Sequence, residues 1–410
     1  MSNIASQMHQ CLTAAQREIL ELTSTAAASS NVSVFLVGGA VRDILLGRTP
    51  KDLDIVIDGS PDDFLKDLTG IVDGDILAES QFGTLKFNIS CEDVDIAVAR
   101  TETYAKPGAL PTVSQGSIEE DLKRRDFSVN AIAISINVNT KGKLLDPFNG
   151  RQDLENKLVR VLHRGSFIDD STRILRAIRY ATRLNFNLDP DTDELVQSQL
   201  DYLNALSGNR LRNELRMILL EPTVVQILKD CQRRGILQAI HPGLKASISS
   251  LDKIDGLLCS KEINELEILS TLLYPVPSSL LQSLVERLSM EGQWEKIAYD
   301  IQLMHKHSQK LSLENIPRSE TYLLLRDIQV PVIKGFCTMT EVENIRNNLN
   351  LYIDELQHIH PLLNGKDLVS MGVPEGPKIG ILLKQLLEER LDGRIKSRQE
   401  EENLVRRNSF

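Results

Sequence analysis

Asp52 and Asp54 are separated by one residue in Lys51-Asp-Leu-Asp-Ile55. Leu53, Ile55 and Ile57 recur at every second position, which predicts a strand from Lys51 to Ile57 and sends both carboxylates to the same side of it. Carboxylates so placed repel each other unless a cation lies between them. A hard divalent ion such as Mg²⁺ takes oxygen ligands and then phosphates. An isolated Asp-x-Asp is commonly a solvated outer face, but a glycine pair just upstream favours the metal reading. Gly38-Gly-Ala-Val-Arg-Asp43 lies between a predicted strand, Val34 to Val37, and a predicted helix running to about Leu46. Gly38 and Gly39 allow close backbone approach, a helix N-terminus favours an anion, and Arg42 offers a guanidinium to phosphate. Asp95, in the later strand Val94 to Ala99, is either a third carboxylate on the same metals or an edge residue. Two metals there would activate an attacking hydroxyl and stabilise a leaving oxygen in phosphoryl transfer.

The elements around these residues define an α+β chain. Apolar spacing from Ile4 to Leu20 predicts a helix over residues 1–30. Phe82 to Ile89 and Asn130 to Val138 suit further strands, Pro107 to Gly116 a loop, and Ile118 to Arg125 a charged helix. From about residue 165 helical periodicity dominates, punctuated by prolines. The reading is a small mixed-sheet head (1–150), a helical neck (151–225) and a helical body and tail (226–410). Residues from Lys396 to Phe410 are highly charged and expected to fray.

The 410 residues are 41% hydrophobic, 25% charged and 4% aromatic, with a net charge of −10. So few aromatics argue against a stacking platform for single strands, and the acidic balance leaves nucleic-acid contact to local Lys and Arg clusters. Cys11, Cys91, Cys231, Cys259 and Cys337 show no metal or redox spacing, as expected of reduced thiols in a cytoplasmic protein. No apolar run approaches the ~20 residues that span a bilayer, and no signal peptide is visible. His305-Lys-His307 and His358-Ile-His360 lack acidic or cysteine partners at ligand spacing and read as surface or core residues.

Leu36-Val-Gly-Gly-Ala-Val-Arg-Asp43 followed by Asp52-Leu-Asp54 resembles motif A of the class II tRNA CCA-adding enzymes and bacterial poly(A) polymerases. Asp121-Leu-Lys-Arg-Arg-Asp-Phe-Ser-Val-Asn130, Leu145-Asp-Pro-Phe-Asn-Gly150 and Asp169-Asp-Ser-Thr-Arg-Ile-Leu-Arg-Ala-Ile-Arg179 follow in the family's order. The resemblance implies Asp52 and Asp54 as metal ligands and catalytic residues. It implies Gly38, Gly39, Arg42, Asp43, Arg124, Arg125, Asp126 and Asn130 as the nucleotide site, with Asp170 and Arg173 reading the base. Asp169 stands where the family usually has Glu, one methylene longer. A weaker similarity at Gly365-Lys-Asp-Leu368 and Gly372-Val-Pro-Glu-Gly-Pro377 implies a tRNA-holding tail, with Lys378 as an RNA contact. The implied reaction joins the tRNA 3′ end to CTP or ATP, releases pyrophosphate and uses no template. Full CCA addition, CC-only, A-only and poly(A) addition all remain open, because specificity would depend on a flexible loop near Arg100 to Ile118.

Asp170 only accepts hydrogen bonds and Arg173 only donates them. Cytosine and adenine each offer an amino donor beside an acceptor ring nitrogen, and their spacing of three predicts one helix face for both residues. Uracil and guanine would set like against like, at ~1–3 kcal/mol per unpaired group. Arg176 and Arg179 continue a basic stripe suited to phosphates or to orienting that pair, whereas Arg183 reads as solvated. Asn209 to Arg216 reads as a helix supporting the pocket. An RNA-binding module that had lost catalysis would have a broken carboxylate pair, and both members are present. Transfer to a small molecule or protein would need neither the tail nor the reading pair.

Overall fold

In the computed structural model the described residues are 4–71, 74–79, 85–89, 92–245, 248–258 and 264–409. They form two compact units, Met1–Glu214 and Leu215–Phe410.

The first unit is built on a seven-stranded sheet. In chain order its strands are β1 (Ser33–Val37), β2 (Leu53–Asp58), β3 (Gly74–Glu79), β4 (Leu85–Ile89) and β5 (Glu92–Val98). A two-stranded hairpin of β6 (Arg100–Thr103) and β7 (Thr112–Gln115) follows, and β8 (Ala133–Ser135) and β9 (Leu144–Leu145) complete the sheet. The sheet order is β3-β4-β5-β2-β1-β8-β9, antiparallel except for β2 against β5. That parallel pairing sets Asp54 opposite Asp95 and Val56 opposite Ala97.

Alternation decides what each face does. Leu53, Ile55 and Ile57 are buried on one side with Val34 and Leu36, as the sequence predicts. Asp54, Val56 and Asp58 share the other side, where Val56 joins a cluster with Val37, Ala99, Ile118, Leu122 and Ala133. Ile118 and Leu122 belong to the helix Ile118–Lys123, so the face that carries Asp54 is the one that helix covers.

The helices of this unit are α1 (Ala5–Cys11), α2 (Ala14–Ser30), α3 (Gly38–Leu45), α4 (Pro61–Ile71), α5 (Ile118–Lys123), α6 (Gly150–Asn156), α7 (Ser166–Asp169), α8 (Thr172–Leu184) and α9 (Pro190–Ser198). The first unit ends within α10 (Gly208–Leu219).

Several sequence expectations change. Residues 1–30 are two helices, because Thr13 caps α2 through a reciprocal bond with Gln16 and ends the first helical run. Pro107 to Gly116 is not all loop: β7 pairs with β6, and strands made almost entirely of polar residues show no hydrophobic alternation. In Asn130 to Val138 only Ala133–Ser135 is strand, and a 3₁₀ turn at Ser128–Asn130 precedes it. That stretch is buried on all sides, so its apolar run carries no period. Phe82, Cys91 and Cys259 lie outside the described residues.

The described part of the second unit contains helices and no strands. The helix expected to begin at Ile381 begins at Pro377, where proline's missing N–H costs nothing. Lys396 to Phe410 does not fray through its length: Arg398–Ser409 is a helix, with Val405 packed among Leu363, Leu368, Val373, Leu382 and Leu386. Trp294 is buried, and His305 bonds the Tyr274 carbonyl. Cys231 is buried, Cys11 and Cys337 are half-buried, and all three are free thiols.

Candidate active site

Gly38 is the turn from β1 into α3. Its φ is +66°, and a Cβ there would lie 3.0 Å from Arg125 Nη1 and 3.2 Å from Asp54 Oδ2. Only glycine holds that backbone without strain while leaving space between a guanidinium and a carboxylate. A cleft of about 380 Å³ opens here, lined among others by Gly38, Gly39, Asp54, Arg124, Arg125, Asp126, Asn130, Asp170, Arg173 and Arg176. Residues spread over more than a hundred positions of sequence thus meet around one cleft, with Asp54 on one wall.

Asp54 is the least satisfied acid of that wall. No hydrogen bond from a described residue reaches it. Burial raises its carboxyl above the ordinary range, Arg125 pulls it down, and Asp95 and Asp52 push it up again. Asp52 is exposed and lies just before β2. Asp95 forms an ion pair with Lys86 at 3.3 Å. A carboxylate in that company gains from a cation, and the donor set is the all-oxygen kind a hard divalent ion takes. Among the described residues no three acidic, His or Cys side chains are grouped closely enough to hold an ion by themselves. The fit is therefore to an open site of one or two carboxylates, completed by substrate oxygens as Mg²⁺ commonly is.

The opposite wall is an arginine cluster fixed from behind. The fully buried Asp121 accepts from Arg124 Nη2 at 2.6 Å and from Arg125 Nη2 at 2.8 Å, one carboxylate oxygen for each. Burial works to raise the Asp121 carboxyl, but Arg125 and Arg124 hold it below its ordinary value. Arg124 Nη1 also bonds Glu102 at 2.9 Å, and the Tyr104 hydroxyl donates to the same glutamate at 2.8 Å. Arg125 Nη1 stays turned toward Gly38 and Asp54. Capping starts this segment: Ser117 and Glu120 bond reciprocally, and Asp58 of β2 accepts from the Ile118 N–H at 3.1 Å. The strand that carries Asp54 therefore also anchors the helix that brings in the arginines.

Asp126 accepts from Arg176 at 2.6 Å and 3.0 Å and from Asn130 at 3.1 Å. Burial again opposes ionisation, and Arg176 with Asn130 lowers the carboxyl below its ordinary range. The network continues to Glu214, 3.7 Å from Arg176 and 3.5 Å from Arg179. At its centre is the Tyr180 ring, whose centroid lies 5.5–5.6 Å from the guanidinium carbons of Arg42, Arg176 and Arg179.

Asp170 and Arg173 both line the cleft, but not as two residues on one helix face. Asp170 is extended and precedes α8, where its Oδ1 accepts from the Thr172 N–H at 3.0 Å and hydroxyl at 2.6 Å. A short acid ahead of a helix readily bonds the backbone two residues on, which the spacing of three does not reveal. Arg173 is buried and donates to the Ser166 hydroxyl at 2.8 Å and the Arg124 carbonyl at 2.7 Å.

Other expected residues are placed differently. Arg42 is 3% exposed and does not line the cleft; it bonds Asp43 at 2.8 Å and Asn130 at 2.9 Å. It therefore braces the wall where a phosphate contact was expected. Arg179 is buried and likewise off the cleft, while Arg183 is exposed. Asp169 faces His163 at 3.6 Å. Lys378 is exposed in the first turn of Pro377–Leu391 in the second unit. Sequence reasoning passed over Asp121, Glu102, Tyr104 and Tyr180. Only Asp121 had a readable signal, an acid three and four residues ahead of Arg124 and Arg125.

A parallel pair of strands carrying acids, a glycine turn and an opposing arginine wall define a nucleotidyltransferase head. The poly A polymerase head domain family matches residues 34–160, and a family described as a probable RNA and SrmB-binding site of polymerase A matches 185–248. An A-adding tRNA nucleotidyltransferase of Halalkalibacterium halodurans is 33% identical over 97% of this chain and 94% of its own length. One from Geobacter sulfurreducens is 32% identical over 90% of this chain but 44% of its own, so the chain spans under half of that relative. A Thermotoga maritima CCA-adding enzyme solved with tRNA superposes with a TM-score of 0.76 at 26% identity, covering 99% of this chain and 98% of that one. An apo CCA-adding enzyme gives a TM-score of 0.82 at 27% identity and covers 99% of each chain. The chain belongs to the tRNA nucleotidyltransferase family that contains the A-adding and CCA-adding enzymes.

Proposed function

We propose that this protein transfers nucleotides to the 3′ end of tRNA and that its product is the terminal A, made from ATP with release of pyrophosphate. The observation that carries transfer is the cleft in which under-partnered Asp54 faces Arg125 across Gly38. The preference for A rests on the relatives named A-adding, which are 32–33% identical, against 27% for several named CCA-adding. A second reading, completion of CCA from CTP and ATP, is favoured by the near full-length likeness to CCA-adding structures. Family enzymes work with a divalent metal, and the oxygen donors here suit Mg²⁺.

Asp52 and Asp54 would hold that ion, with Asp95 beside them. When bound it supplies positive charge against the triphosphate and lowers the cost of bringing a hydroxyl to phosphorus. Gly38 and Gly39 give the triphosphate room at the start of α3. Arg125 and Arg124 bind its oxygens, prevented by Asp121 from collapsing onto Asp54. Asp126 and Asn130, held by Arg176 and Arg42, present acceptor and amide groups to the ribose. Asp170 accepts from the base's amino group, and Arg173 donates to the neighbouring ring nitrogen. The chain's part is positioning and charge compensation prepared before substrate arrives. Among the described residues no helix is long and apolar enough to cross a membrane, and the reading places the protein in the cytoplasm with its tRNA.

The test is incorporation of labelled nucleotide into tRNA ending in CC, with wild type and Asp54→Asn compared at equal concentration. One A added by wild type and none by the variant is the expected result. Equal incorporation by both would overturn the assignment of Asp54.

A further inference from the structure

One side chain holds both the base-reading acid and the β6–β7 hairpin tip. Arg210, in α10, places Nη2 2.6 Å from Asp170 Oδ1 and donates from Nη1 to the Gly108 carbonyl at 3.3 Å. The two amino groups belong to one planar fork, so the position of either partner restricts the other. The tip is itself closely seated. Gly108 has φ +73°, and a Cβ there would lie 2.5 Å from the Ala205 carbonyl oxygen. On the other side, Asp170 Oδ1 also accepts from the Thr172 N–H and hydroxyl. All three donors converge on that oxygen, and no described residue donates to Oδ2. Tyr104 and Pro111, on either side of the tip, line the same cleft as Asp170.

We propose that Arg210 is a positioning residue for base selection, clamping Asp170 so that Oδ2 alone is offered to the base. This rests on the nucleotidyl-transfer reading above and adds a specificity role for a helix whose sequence suggested only support. A carboxylate free to turn escapes a mismatched carbonyl oxygen by rotating away or by taking up water. A clamped one cannot, so guanine and uracil meet the full penalty of acceptor against acceptor. Adenine's amino group meets an acceptor whose direction is already set. The clamp thus raises discrimination, and only secondarily affinity.

The experiment measures kcat and KM on CC-ended tRNA separately with ATP, CTP, GTP and UTP, for wild type, Arg210→Gln, Arg210→Lys and Gly108→Ala. Arg210→Gln is expected to lower the preference for ATP over GTP and UTP by about tenfold to a hundredfold. Arg210→Lys, which keeps the charge but loses the fork, should recover part of that preference. Gly108→Ala should lower it severalfold by displacing the carbonyl that Arg210 holds. If Arg210→Gln does not fold, Arg210→Lys and Gly108→Ala read the same ratios. Variants that lose rate equally with all four nucleotides, keeping wild-type preference, would overturn the proposal and leave Arg210 a structural residue. Failure of wild type to add any nucleotide would overturn the parent reading and this one with it, and is visible before any variant is compared.

Discussion

Buried acids behave differently in the two units. In the C-terminal unit each has its partners: Asp300, fully buried, accepts from Lys296 at 2.5 Å and from the Gln329 N–H at 2.9 Å. Glu401, also fully buried, accepts from the Leu362 and Leu363 N–H groups at 2.9 and 2.8 Å and from Arg390 at 3.1 Å. In the first unit the buried Asp121 and Asp126 are satisfied in the same way, but the half-buried Asp54 stands among other acids with its carboxyl raised by partial desolvation. A buried acid with every lone pair engaged holds a fold together. A half-buried acid left short of donors at the lining of a cleft costs stability and remains available to bind a cation.

Asp54→Asn should separate these roles most sharply. Transfer is expected to fall by about a thousandfold, while the melting temperature stays level or rises because a destabilised charge has gone. A variant that lost both activity and stability would erase the contrast. Glu401→Ala should do the reverse, lowering unfolding free energy by about 2–3 kcal/mol in urea titrations. Because two backbone N–H groups and Arg390 lose their acceptor, stability is the quantity that must fall.

Acid titration sharpens the comparison within the first unit. Asp121 and Asp126 are held below their ordinary value of 3.8, so their contribution is complete above that value and is lost as pH falls through their folded values. Unfolding free energy should therefore decline as pH drops below about 4, and Asp126→Asn should show a shallower decline from a lower plateau. An equally steep decline would mean that Asp126 is not one of the responsible groups. The smallest effect is expected at the tail: Lys378→Glu should weaken tRNA binding a few-fold and reduce the slope of log affinity against log salt by about one. Unchanged tRNA affinity and salt slope would remove Lys378 from the RNA contacts.

What the sequence discloses follows the same division. Asp52-Leu-Asp54, Gly38-Gly39 and Arg124-Arg125-Asp126 are local patterns whose chemistry depends on spacing along one element, and the cleft brings most of them together. Leu53, Ile55 and Ile57 were readable as a buried face from their period of two, although Val56 on the other side is buried as well. The bracing role of Arg42 was not readable, since its partner Asn130 is 88 positions away. Glu102 and Tyr104 lie on and just after a half-buried strand of polar residues without a hydrophobic period, and Arg210 reaches Asp170 across 40 positions. Long-range ion pairs depend on how elements pack, which no window of sequence contains. Asp170 differs for the opposite reason: it lies in the extended step between two helices, with a strictly local bond to Thr172, and so is off the helix that its spacing suggested.

The most direct test of the account uses tRNA transcripts ending before CCA, after the first C and after CC, each given Mg²⁺ with labelled CTP, ATP or both. Products are read at single-nucleotide resolution. The account predicts one A on the CC end and no extension of the other two. Completion of CCA from all three would replace the A-adding conclusion with full CCA addition, and no incorporation on any transcript would contradict the catalytic reading of the cleft.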